Sequence, residues 1–301
     1  MEIKPNFFIA GPPKCASGSL HFYLDQHPEI LMSSEKETCF FTREYDKGIA
    51  FYEKTYFSSR SKTAMVAGEA TPSYSFLPFA ADRIAKHYPE AKFIFSFRHP
   101  LERAYSGWLM RMERGSETLD FVAALDANRK QSISFDSTDF ESIWTKEHND
   151  WTHQRGDIIR TYIEGSDYAT IWKIFIDRFG EDSCFRLFTE DLRSDPSGEL
   201  QKVYRFLGVD DTFEISEAEE QNSYRKFSNP GLMFQFNHPK IRKWKRRLPD
   251  GIRKRIKSSL TVDAPKPEMT AQDRAAGLEI FNPLVERIET LWDEELNHWK
   301  K

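Results

Sequence analysis

Phe7-Phe8-Ile9-Ala10-Gly11-Pro12-Pro13-Lys14-Cys15-Ala16-Ser17-Gly18-Ser19-Leu20 is the stretch on which the fold turns. A short apolar run of strand length passes into a turn of small residues carrying one lysine, and the turn passes into a helical pattern. Strand, small-residue turn and helix in that order present backbone N–H groups and a helix N-terminus to an anion. The lysine lies on the unusual side of the turn. A nucleotide-kinase loop ends in Gly-Lys-Ser/Thr, whereas Lys14 precedes the Ser17-Gly18-Ser19 run. That placement points away from phosphoryl transfer and toward another anionic group.

Outward from this stretch, further buried-strand runs are read at Ala64 to Ala67, Lys92 to Phe97 and Cys184 to Phe188. Helical patterns separate them. Leu20 to Gln26 is one; Phe79 to Tyr88 closes at Pro89, and Leu101 to Arg114 opens at Pro100. Tyr168 to Phe179 runs to Gly180, and Pro196 to Leu207 runs to Gly208. Alternating strands and helices predict an α/β fold with a central parallel sheet flanked by helices on both faces. A basic segment follows over 238–260, then a linker marked by Pro265 and Pro267, then an amphipathic helical region over 269–299. All of it is expected to form a single domain over 1–301.

Charged residues of both signs leave a net charge of −4 over 301 residues, so no global field argues for nucleic acid or an anionic membrane. Any anion site must be local. The three cysteines, Cys15, Cys39 and Cys184, form no Cys-x-x-Cys pair, which predicts a reducing, cytoplasmic compartment. No run of eighteen or more apolar residues and no signal-type segment is read, so a soluble chain without an integral membrane segment is expected. No His/Cys/Asp cluster has metal-ligand spacing, and no metal is expected. Composition leaves the oligomeric state open.

In open α/β sheets ligands bind beyond the carboxyl ends of the strands. Three such places are chemically loaded: Gly11 with Lys14 to Ser19, Glu69 to Tyr74, and Arg98 to Ser106. Arg98 sits at a strand end and Ser106 eight residues later, about two helical turns on. A guanidinium and a hydroxyl can grip a second phosphate from one side.

These residues carry a family resemblance. Gly11-Pro12-Pro13-Lys14-Cys15-Ala16-Ser17-Gly18-Ser19-Leu20 and Arg98-His99-Pro100-x-x-Arg103-x-x-Ser106 resemble the 5′- and 3′-phosphate motifs of sulfotransferases that use 3′-phosphoadenosine 5′-phosphosulfate (PAPS). The likeness extends through Lys36-Glu37-x-x-Phe40-Phe41, Gly68-Glu69-x-Thr71-Pro72-Ser73-Tyr74 and Glu190-Asp191-Leu192-x-x-Asp195-Pro196, in the order of the bacterial and glycan-type branch. It implies the P-loop-like sulfotransferase fold and sulfuryl transfer to a small-molecule or glycan acceptor. It implies that Lys14 faces the 5′-phosphate and the oxygen bridging to sulfur. Ser17, Gly18, Ser19 and Leu20 would hold the 5′-phosphate, and Arg98 and Ser106 the 3′-phosphate. Glu37 aligns with the family's general base, and Arg225 and Lys226 fall where a late segment folds over the donor. Two departures stand out. Ala16 takes a glycine position and Gly18 a threonine position, and Ala70 replaces a lysine frequent in glycosaminoglycan-acting relatives.

Other residues are read more plainly. Arg103 is expected to be structural, pairing with a carboxylate such as Glu69, which is also the competing base. His99, His148 and His153 sit in no spacing that demands catalysis, and the basic run from Lys240 to Lys257 reads as a solvated helical face. Two alternatives stay open at this point: a nucleotide-dependent phosphotransferase, and an inactive nucleotide-binding module.

Overall fold

The computed structural model describes residues 4–58, 63–113, 116–131, 141, 144, 159–216, 225–227, 250–263 and 267–300. The chain opens with β1 (Phe7–Ile9), α1 (Ser17–Leu24) and β2 (Ile30–Met32), then a π-helical turn over Phe40–Glu44. α2 (Ile49–Tyr56), β3 (Val66–Ala70), α3 (Pro78–His87), β4 (Lys92–Phe97), α4 (Pro100–Glu113) and α5 (Phe121–Arg129) follow. Next come α6 (Tyr168–Phe179), β5 (Cys184–Phe188), α7 (Thr189–Ser194) and α8 (Pro196–Leu207). The last described elements are β6 (Arg225–Phe227), α9 (Asp250–Leu260), β7 (Thr261–Asp263) and α10 (Ala271–Trp292).

Five strands form one sheet in the order β2-β3-β1-β4-β5, and every pairing in it is parallel. The central position of β1 follows from its sequence, since Phe7, Phe8 and Ile9 are apolar on both faces and all fully buried. Strand alternation sends Phe8 to one face, where its ring stacks on Phe93 at 5.6 Å and Phe95 meets Trp172 of α6 at 5.4 Å. Phe7, Ile9 and Ile94 face the other way, against Leu20 and Leu24 of α1 and Val203 of α8. α10 closes the first face, its Trp292 ring 5.3 Å from Phe97.

β4, β5, α6 and α8 have the ends read from sequence. The second predicted strand needs correcting. It runs over Val66–Ala70 rather than Ala64 to Ala67, so Glu69 lies inside a buried strand and not beyond it. Gly68 makes this possible: it pairs in register with Phe7, whose ring occupies the space a Cβ at Gly68 would need. α1 begins at Ser17, three residues before the helix expected from Leu20. Of the basic segment, 250–260 is helical and 238–249 lie outside the described residues.

Candidate active site

The carboxyl ends of β3, β1 and β4 lie side by side, with Ile9 in register with both Ala70 and Ile94. Everything sequence-loaded at those ends is therefore brought to one edge. The turn after β1 is pressed onto β4: a Cβ on Gly11 would lie 2.7 Å from the Ser96 backbone nitrogen and 2.7 Å from its carbonyl oxygen, so only glycine fits. Ala10 N–H donates to the Ile94 carbonyl at 2.9 Å, and the Ser96 hydroxyl donates to the Cys15 carbonyl. Lys14 and Ala16 are left-handed, with φ of 77° and 57°. Non-glycine residues in that region cost about 1–3 kcal/mol each and persist where surrounding structure over-determines them.

Ala16 is the N-cap of α1 and supplies no side-chain cap, and the first turn of the helix carries no acidic residue. The helix N-terminus is thus left to an anion. Ser17 is buried and heads the helix, with Gly18 and Ser19 following. Leu20 departs from the expectation. Its N–H donates to the Ala16 carbonyl at 3.0 Å and its side chain is fully buried, so it serves the core and the first helical hydrogen bond.

α4 supplies the facing wall. Ser106 is buried there, and a Cβ on its neighbour Gly107 would lie 4.0 Å from the Lys14 Cγ. The lysine stem therefore runs along α4 at Gly107. Arg98, at the end of β4, has its guanidinium 3.6 Å from the Glu102 carboxylate, and Glu102 also accepts from Arg274 of α10 at 2.8 Å. Tyr168 donates its hydroxyl to the Arg98 carbonyl at 2.7 Å.

Arg103 is structural, as expected, but its partners are not carboxylates. Buried at 3% exposure, it donates to the Pro13 carbonyl at 3.4 Å, to the Ser166 hydroxyl at 2.6 Å and to the Tyr162 carbonyl. It clamps the lysine turn from behind. Gly165 is required beneath it, because a Cβ there would approach the guanidinium to 2.9 Å. His99 is buried, its Nδ1 accepting from Leu101 N–H at 3.2 Å, and burial pushes its pKa down, so it packs as a neutral ring.

Glu37 lies on the loop between β2 and the π-turn, about half exposed and paired with Lys36 at 2.8 Å. Its N–H donates to the Ala70 carbonyl at 3.0 Å, which docks the loop on the end of β3, beside β1. Glu37 and Cys39 are also left-handed, with φ of 62° and 52°. The four left-handed residues in the two loops thus flank one sheet edge. Glu69 is excluded as the competing base: fully buried, its carboxylate is saturated by the hydroxyls of Thr38, Tyr52, Thr71 and Tyr74. Sequence reading missed this cage, although Thr71 and Tyr74 belong to the motif that contains Glu69.

Arg225 and Lys226 form β6, which pairs antiparallel with β7; their side chains, and Gln221 to Tyr224, lie outside the described residues, as do His148 and His153. Among the described residues no group of His, Cys, Asp and Glu has metal-holding geometry, and no helix is long and apolar enough to cross a membrane.

All three cysteines are free thiols. Burial pushes Cys15 and Cys39 up to about 11 and Cys184 to about 12. The thiolate is the reactive form. At pH 8 a disulfide reagent such as Ellman's is therefore expected to react slowly with the native protein and rapidly with three thiols in guanidinium chloride. Fast native labelling at Cys15 would contradict the closed turn.

A family profile described as "Sulfotransferase family" matches residues 52–214. The chain is 29% identical over 164 residues to the membrane-associated sulfotransferase kil1 of Dictyostelium discoideum, covering 54% of this chain and 30% of that protein. It is 26% identical over 205 residues to human heparan sulfate glucosamine 3-O-sulfotransferase 3B1, covering 68% of this chain and 46% of the relative. The chain thus spans less than half the length of these two curated relatives. In structure it resembles a sulfotransferase from Alicyclobacillus acidocaldarius, with a TM-score of 0.65, 24% identity and 99% of each chain covered; this likeness concerns the fold.

Proposed function

The chain belongs to the sulfotransferase family, and from that premise we propose that it transfers a sulfuryl group from PAPS to a hydroxyl or amine of a small molecule or glycan. One observation carries the reading: the lysine turn, the Glu37 loop and the start of α4 meet at one sheet edge, with the Lys14 stem against the α4 face at Gly107. A donor with two phosphates needs two anion sites and a cation at the bond that breaks. The uncapped N-terminus of α1 with Lys14 supplies one site, and Arg98 with Ser106 supplies the other.

In this reading Ser17, Gly18 and Ser19 hold the 5′-phosphate, and Arg98 and Ser106 hold the 3′-phosphate. Glu37 takes the acceptor's proton as the acceptor oxygen or nitrogen bonds to sulfur. Lys14 meets the charge left on the phosphate oxygen when its bond to sulfur breaks. Holding donor and acceptor in line at this edge supplies the rest. Arg225 and Lys226, in the ribbon β6–β7, are assigned to the donor's outer side. Ala70 is fully buried at the end of β3 and offers no cation to a polyanion, which favours a neutral glycan or small molecule over a heparan-like acceptor.

The packing of α10 on α4 and α6 supports one catalytic domain, and three unpaired thiols support a reducing, cytoplasmic setting.

An acceptor screen with PAPS, read by mass for an added sulfuryl group, tests the reading. Sulfation of a panel member is the expected result. Radiolabel transfer from ATP with none from PAPS would make the protein a phosphotransferase. Stabilisation by 3′-phosphoadenosine 5′-phosphate without any transfer would make it an inactive binding module. Arg98→Ala is expected to raise the donor KM about 10- to 100-fold, the loss of charge-assisted hydrogen bonds to phosphate, with a smaller effect on kcat. Steady-state kinetics and calorimetry with the bisphosphate product check it.

A further inference from the structure

The Glu69 cage does more than satisfy a buried carboxylate. Each of its oxygens accepts two hydroxyls: Oε2 from Thr38 at 2.7 Å and Thr71 at 2.7 Å, Oε1 from Tyr52 at 2.6 Å and Tyr74 at 3.3 Å. A hydroxyl has one proton to give, and its oxygen can still accept. Three of the four use that capacity on the same short stretch of backbone. Cys39 N–H donates to the Thr71 hydroxyl at 3.3 Å, Phe40 N–H to the Thr38 hydroxyl at 3.3 Å, and Phe41 N–H to the Tyr74 hydroxyl at 3.2 Å. Three consecutive amides are thus bound through three hydroxyls to one carboxylate. Tyr52 packs its ring on Phe40 at 4.5 Å, but its hydroxyl receives none of these three amides and donates to Glu69.

We propose that Glu69 is a positioning residue that sets the loop bearing Glu37, by orienting Thr38, Thr71 and Tyr74 so that their oxygens receive the amides of Cys39, Phe40 and Phe41. The inference rests on Glu37 being the base. The carboxylate settles the direction of the hydroxyls around it: because it only accepts, each points its proton inward, and Thr38, Thr71 and Tyr74 thereby turn their lone pairs to the loop. Glu37 and Cys39, both left-handed, sit at the start of this stretch, and neither residue type adopts that conformation without support. The Glu37 backbone is held through its N–H on Ala70, so its aim depends on the anchor that follows it. Burial pushes the Glu69 carboxyl above its ordinary range, and the four hydroxyls oppose that shift. A fully buried carboxylate is retained here inside a strand where an apolar residue would otherwise pack.

Glu69→Gln keeps the shape and turns one acceptor oxygen into a donor, so the two hydroxyls on it must reverse: Thr38 and Thr71, which receive Phe40 and Cys39, if it replaces Oε2, or Tyr52 and Tyr74, the latter receiving Phe41, if it replaces Oε1. Amide hydrogen exchange is expected to rise about tenfold or more at Cys39 and Phe40 in the first case or at Phe41 in the second, the signature of local opening, while β1 and β4 stay protected. PAPS hydrolysis, with water as acceptor, is expected to fall about 10- to 100-fold in kcat, the cost of a misaimed group. Affinity for 3′-phosphoadenosine 5′-phosphate should stay at the wild-type level, a split that general destabilisation would not produce. The double variant Glu37→Gln/Glu69→Gln should be no slower than Glu37→Gln.

If Glu69→Gln does not fold, Thr71→Val and Tyr52→Phe decide the matter. Each removes one donor to Glu69, but only the first removes an acceptor for a loop amide. Faster exchange at Cys39 in Thr71→Val and not in Tyr52→Phe supports the relay; equal behaviour of the two overturns it. Exchange needs neither donor nor acceptor, so the two readings fail separately. Unchanged exchange in Glu69→Gln overturns the positioning role. Normal turnover in Glu37→Gln overturns the base instead, and raised exchange in Glu69→Gln then still supports the anchor.

Discussion

Lys14→Ala is expected to lower sulfuryl transfer by about 10²- to 10³-fold at saturating donor, the scale of removing one preorganised group that meets developing charge. The effect belongs mainly in kcat. Ground-state binding of the 5′-phosphate is shared with the amides and hydroxyls at the start of α1, whereas the charge on the bridging oxygen grows only as its bond to sulfur breaks. The lysine is suited to this because its backbone is held left-handed and its stem lies along α4 at Gly107, beside the N-terminus of α1. Lys14→Arg tests the geometry separately, since a planar fork on a longer stem keeps the charge and moves its centre. Rapid-quench measurement of PAPS consumption checks both variants, and wild-type turnover by Lys14→Ala would sink the assignment.

Glu37→Gln is the second large effect, a loss of about 10²- to 10⁴-fold in transfer, the range of a positioned general base. Donor affinity should not follow it, because Glu37 stands on the β3 side of the edge and docks through its backbone on Ala70. Its pairing with Lys36 matters here. The Lys36 ammonium lies 2.8 Å away and must release the carboxylate or share it when the acceptor enters. An acceptor series of falling pKa offers an independent check: the penalty of Glu37→Gln should shrink as the acceptor needs less help to lose its proton. A constant penalty across the series would argue that Glu37 binds the acceptor without taking its proton.

Much of this is legible in the sequence itself. β4 and β5 are long apolar runs with clear polar or turn boundaries, and α6 and α8 end at Gly180 and Gly208, both with positive φ. Lys14, Arg98 and Ser106 could be singled out because their spacing places them at strand ends and one helix start. β2 escaped because three residues, Ile30 to Met32, are too few to show a period. β3 was misplaced because Gly68 and Glu69 interrupt its apolar pattern, and the reasons for both are tertiary: a ring from β1 and a cage of four hydroxyls. Nor does any local rule predict left-handed backbone at Lys14, Ala16, Glu37 or Cys39. The partners of Arg103 were hidden likewise, since carbonyls at Pro13 and Tyr162 are marked by no residue type. Functional groups were visible as chemistry; what aims them was visible only as contacts across long stretches of chain.

The central place of β1 has a consequence for how the protein is made. Its partners on either side, Gly68 to Ala70 and Lys92 to Ile94, are synthesised well after Phe7, Phe8 and Ile9. At about 5–20 residues per second, the wait from Ile9 to Ile94 lasts several seconds or longer. Until β4 is made, a strand apolar on both faces has at least one unpaired edge, and an unpaired strand of that kind is the sort that associates with other chains. Slowing translation between β1 and β4 should therefore lower soluble yield, and a ribosome-associated chaperone should restore it.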